Sequence, residues 1–175
     1  MSDYRELFLT KLEDKKKLLE GYKIKATTIF DAGELYESLN RWYTQKGYDW
    51  KEVRYKSVEL ASGPQQTDVT WECTKKLDDY TSFVVEMVAQ IIVTEVEVAL
   101  PNNVKKKSNK GYVEMKFTAN IVKNTKVWEG RHFGHLMGLI YEKILIRKRL
   151  EEYEKAMFAE IHLLFNEVRL YLGIK

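Results

Sequence analysis

Two long runs of alternating apolar and polar residues between Tyr80 and Val122 dominate the pattern of this chain. In the first, Phe83, Val85, Met87, Ala89, Ile91 and Val93 share one parity. The apolar set then moves to Val96, Val98 and Leu100, opposite Glu95 and Glu97. In the second, Val113, Met115, Phe117, Ala119 and Ile121 alternate with Glu114, Lys116, Thr118 and Asn120. Period-two alternation with β-branched residues predicts two strands with one face in the core, and the short lysine-rich connection predicts an antiparallel hairpin. Side chains alternate faces along a strand, so a parity switch requires a bulge, a twist or a change of environment. A bulge that bends the strand is expected between Ile91 and Glu95.

The same alternation predicts strands over Tyr22–Phe30, Asp49–Leu60 and Thr67–Leu77. In the second of these Val53 and Tyr55 take one parity and Val58 and Leu60 the other, so its register is open. Helical spacing predicts a helix over Asp3–Leu19, opened by an Asp3-x-x-Glu6 capping box and ended by Gly21. A second helix is predicted from Asp31, with Leu35, Leu39 and Trp42 on one stripe and Gly47 closing it. After Asn124 a stripe of Leu139, Ile146, Leu150, Tyr153, Met157, Leu164, Val168 and Tyr171 predicts one very long helix, or two broken near Arg147 to Arg149.

Strand connections after the second helix are short, which implies antiparallel neighbours. The predicted fold is α+β in one domain over residues 1–175. It is a curved antiparallel sheet of about five strands, packed by an early helix and a long C-terminal helix or helix pair. In element order alone this resembles the helix-grip layout of START-like proteins. The resemblance implies an apolar cavity between sheet and terminal helix, with Trp71, Phe83, Met87, Met115 and Phe117 as candidate lining residues.

Composition narrows the picture. The 175 residues are 45% hydrophobic and 31% charged, as in a globular domain, and the net charge of +3 is too small to imply nucleic acid by itself. The single Cys73 excludes an intramolecular disulfide and a cysteine-rich zinc site. Met1 to Glu20 is charged throughout, unlike a signal peptide, and no apolar run approaches the roughly 20 residues of a membrane span. A cytoplasmic protein is expected.

Charge matters locally. Lys105, Lys106, Lys107 and Lys110 form the hairpin tip with no acid among them. Lysines placed so meet RNA, a ribonucleoprotein or another anionic partner as flexible point charges, while the plainer role is to keep a long hairpin soluble and guard its end. Arg131, His132, His135, Lys143 and Arg147–Arg149 are a second basic group, which Glu151, Glu152 and Glu154 can neutralise along a helix. His132 and His135 have metal-ligand spacing without a third ligand, so capping or structural roles fit them better. Trp42, Tyr43, Tyr48, Trp50, Tyr55 and Trp71 suit core packing, a ligand cup or a stacking platform. No phosphate loop, nucleophile elbow or metalloprotease motif occurs, so no catalytic residue, metal or cofactor is assigned. The expected functions are a non-catalytic binding or assembly module acting through the tip lysines, an apolar small-molecule or lipid carrier, or a homodimer joined through the C-terminal stripe.

Overall fold

The computed structural model describes residues 15–99, 105–124 and 133–174. The Asp3 capping box, residues 100–104, Arg131 and His132 lie outside these residues. In chain order the elements are β1 (Lys15–Phe30), α1 (Ala32–Gln45), β2 (Asp49–Glu59), β3 (Gln65–Lys76), β4 (Thr81–Ala99), β5 (Lys105–Lys123), α2 (Gly134–Ile140), a π turn (Tyr141–Leu145) and α3 (Arg147–Tyr171). The five strands form one sheet in the order β1-β5-β4-β3-β2, with every neighbouring pair antiparallel. Strands β2 to β5 are a meander with short connections. β1 lies at the far edge beside β5, so the chain must cross the sheet to begin β2, and α1 makes that crossing. The fold is therefore the α+β layout that the alternation predicts. Among the described residues no helix is long and apolar enough to cross a membrane.

Register places the core. One row runs Glu52, Trp71, Met87, Phe117 and Tyr22 from edge to edge of the sheet. Its central members are fully buried, and both long helices pack on this face. Leu35, Leu39 and Tyr43 of α1 are buried, as are Met157, Ile161, Leu164, Phe165 and Val168 of α3. Phe165 meets Phe117 edge-on at 5.0 Å between ring centroids and stacks on Tyr22 at 4.1 Å. Each such side chain is worth about 1.5–3 kcal/mol on burial. Much of the stripe offered for a homodimer seam, Met157, Leu164 and Val168 included, is covered in this way by the chain's own sheet. The opposite face carries Asp68, Gln90, Glu114 and Lys25 in one row. There Glu114 accepts from Tyr112 and pairs with Lys25 and Lys23, which holds its carboxyl down to about 2.

Several expectations need correction. Lys15–Leu19 is strand rather than helix, because β5 is 19 residues long and its C-terminal end takes a partner from this segment. Gly21 does not end a helix. It sits within β1 at φ 64, where the register with β5 shifts between Leu19 and Tyr22, and glycine reaches that backbone conformation without a steric penalty. No bulge lies between Ile91 and Glu95, since β4 pairs with β5 in one unbroken register from Thr81 to Ala99. The parity switch there is a change of environment: Val93 is buried, whereas Val96 and Val98 are only half-buried. The lysines are not on a loose tip either, because β5 begins at Lys105 and its first residues pair with β4 as far as Ala99. The C-terminal stripe is broken by the π turn and by Ile146 at φ −116 and ψ 4, immediately before Arg147.

Candidate functional site

The crossing helix does not lie flat on the sheet. Between α1 and the β2–β3–β4 half of the helix face is a pocket of ≈580 Å³. Its floor is apolar, with Leu35 and Leu39 from α1, Val69 and Trp71 from β3, Ile91 from β4 and Met115 from β5. Its mouth is formed by the edge strand. β2 carries an extra residue at Val53, so the register with β3 steps from Glu52↔Trp71 to Arg54↔Thr70 and Tyr55↔Val69. Without that bulge Glu52 and Tyr55 would point to opposite faces. With it, both line the pocket. The Tyr36 hydroxyl on α1 donates to Glu52 Oε2 at 3.1 Å, across the mouth. Tyr55 is 58% exposed beside it. At Gln65, Val93 and Asn109 the pocket adjoins a more polar hollow whose lining includes Glu59 and Glu95.

One wall continues into an aromatic cluster. Tyr36 lies 5.3 Å from Trp71, Trp71 lies 5.2 Å from Trp50, and Tyr43 lies 5.5 Å from Trp50 and 5.3 Å from Tyr48. The Tyr43 hydroxyl and the indole nitrogens of Trp50 and Trp71 are buried and meet no hydrogen-bonding protein group among the described residues. Ring-to-ring packing is the main contact in this wall. Trp42 and Trp50 are half-buried members of the same packing, so of the sequence's aromatic series Tyr55 is the one that stands out to solvent.

The candidate cavity residues separate into two groups. Trp71 and Met115 line the pocket. Phe83, Met87 and Phe117 are fully buried in the core, where Tyr153 and Phe165 of α3 meet Phe83 and Phe117. The space is thus beneath the early helix, with no α3 side chain in its lining. Glu52, Tyr55 and Tyr36 had no sequence motif to mark them. Tyr55 belonged to the aromatic series that suits a ligand cup, and the unresolved phase of β2 was the trace left by Glu52.

The lysine segment builds a corner. Asn109 Oδ1 accepts from the first N–H of α1 at Ala32, 3.1 Å away, and Ser108 Oγ donates to the carbonyl of Phe30 at 3.0 Å. Lys106 Nζ lies 3.6 Å from Asp31 and 3.5 Å from Glu34, and Lys107 pairs with Glu95 at 2.8 Å. Asp31 caps α1 by accepting from the Glu34 N–H, which together with Lys106 holds its carboxyl below the usual carboxylate range against some desolvation. Lys105 opens the strand opposite Ala99, and Lys110 sits between Thr94 and Ile29.

The remaining candidates stay apart from the pocket. Cys73 is buried, and burial pushes its thiol up to about 12, the opposite of a reactive cysteine. His135 is exposed, and no group of three metal-ligating side chains occurs among the described residues. Arg147 pairs with Glu151 at 3.1 Å and Arg149 approaches Asp78 at 3.8 Å, so neighbouring acids meet part of that basic run. No protein-family model matches the sequence, and no curated protein matches it either.

Proposed function

We propose that this protein binds an apolar small molecule, held in the pocket beneath α1. The observation that supports this reading is the pocket itself: ≈580 Å³ of space over an apolar floor, entered past a few polar groups. Small-molecule sites fall in this size range and combine an apolar lining with a small number of orienting polar groups. The same reading takes the architecture as a helix-grip layout in which the early helix, rather than the terminal one, forms the wall of the cavity. Titration with the apolar fluorophore N-phenyl-1-naphthylamine tests it. Saturable binding is expected, and Thr67→Trp, which places an indole in the lining, should weaken it by about tenfold or more. A probe that does not saturate, or that binds both proteins equally, overturns the reading.

A second proposal keeps an anionic partner, RNA or a ribonucleoprotein, for Lys105, Lys106, Lys107 and Lys110. The exposure of Lys107, whose side chain keeps 76% of its surface, favours it, although Glu95 takes part of its charge. Replacing the four lysines by Glu should reduce retention on RNA several-fold at low salt. Equal retention would count against it.

A further inference from the structure

The charged side chains that line the pocket and its adjoining hollow are acidic. Glu52 is the ionisable carboxylate in the lining, Glu59 and Glu95 flank the adjoining hollow, and no lysine, arginine or histidine lines either among the described residues. Glu95 is answered by Lys107 at 2.8 Å. Glu52 accepts the neutral Tyr36 hydroxyl on Oε2. The nearby bases of β2 do not turn inward: Arg54 stands opposite Thr70 and Lys56 opposite Asp68, both on the far face of the sheet. The mouth therefore offers a carboxylate with acceptor capacity to spare and two phenol rings, Tyr36 and Tyr55, beside it.

We propose that the ligand is an amphipathic cation: an alkyl or arylalkyl chain on the floor, and a protonated amine at the mouth that pairs with Glu52. This rests on the pocket reading above and adds the chemistry of the head group. An ammonium gains a charge-assisted hydrogen bond from the carboxylate, and the faces of tyrosine rings attract a cation. A fatty acid or phosphate ester would bring a second anion beside Glu52 with no cation in the lining to meet it. Discrimination of this kind comes as much from repelling the wrong head as from holding the right one.

Three ligands of nine carbons each separate the possibilities: nonylamine, 1-nonanol and nonanoate, each competed against N-phenyl-1-naphthylamine near neutral pH. Nonylamine is expected to bind about tenfold tighter than nonanol, with nonanoate weakest. Glu52→Gln should abolish the difference between amine and alcohol and leave nonanol within about twofold. Glu52→Lys should reverse the order of amine and acid. Glu52 is exposed on an edge strand, so both variants are expected to fold. If nonanol or nonanoate matches the amine, or Glu52→Gln keeps the preference, the head-group assignment fails while the pocket reading stands. If none of the three displaces the probe from the wild type, the pocket reading fails with it.

Discussion

Tyr36 on α1 and Glu52 on β2 meet hydroxyl to carboxylate at 3.1 Å, and the contact bridges the mouth of the pocket. It joins the crossing helix to the edge strand beside the packing of Tyr36 on Trp50 and Trp71. The bond is exposed to water, so its net worth is about 1 kcal/mol or less. Tyr36→Phe should therefore shift the urea midpoint only slightly, with an unchanged m value. A loss of several kcal/mol would show that the bridge determines the fold rather than bordering a site.

Gly111 faces the backbone of β4 closely, with no room for a side chain. A Cβ placed there would lie 2.1 Å from the carbonyl oxygen of Ile92 and 2.8 Å from the Cα of Val93. Both neighbours are backbone and cannot swing away. Gly111→Ala should destabilise the protein by about 1–3 kcal/mol, the range of an overpacked interior, and lower Tm by about 2–4 °C for each of these. Thermal unfolding checks this. An unchanged Tm would mean that the strands separate there at little cost.

Tyr171, at the end of α3, donates at 2.9 Å to the carbonyl of Asp31, whose side chain caps α1. Burial, with Glu34 and Asp31 nearby, pushes its hydroxyl up to about 12. Tyr48, buried and donating to Glu160 at 2.9 Å, is raised as well. A group whose folded-state pKa is raised stabilises the fold fully below its unfolded value, about 10 for tyrosine, and loses that contribution as pH rises through the folded value. Alkaline destabilisation is thus expected to set in near pH 10 and to continue toward about 12 for Tyr171. Tyr171→Phe, compared with the wild type by urea unfolding between these limits, should show a shallower decline. Parallel declines would remove Tyr171 from the account.

How much of this was readable in the chain follows from which contacts are local. Strands at Tyr22–Phe30 and Thr67–Leu77 were legible because one buried face imposes alternation on their own residues. The α1 cap was legible because Asp31 reaches a backbone N–H only three residues away. Lys15–Leu19 was not, because its strand conformation comes from pairing with Ile121, Asn120 and their neighbours about a hundred residues on. The bulge at Val53 left only an ambiguous phase. The change of parity after Ile91 was visible, but alternation cannot distinguish an inserted residue from the end of the covering layer. The pocket shows the same limit. Trp71, Phe83, Met87, Met115 and Phe117 share one face of the sheet, and parity says nothing of which helix covers each. The segment Lys105–Lys110 read as a charged tip, whereas Ser108 and Asn109 within it secure the corner that starts α1.

Methyl-labelled methionine spectra test the central claim most directly, because two methionines report on the two halves of the core. Met115 lines the pocket beneath α1, and Met157 is buried on α3. On titration with nonylamine or N-phenyl-1-naphthylamine, the Met115 methyl resonance is expected to shift saturably while that of Met157 stays in place. A Met115 resonance that does not move at saturating ligand, or a shift confined to Met157, would contradict the account.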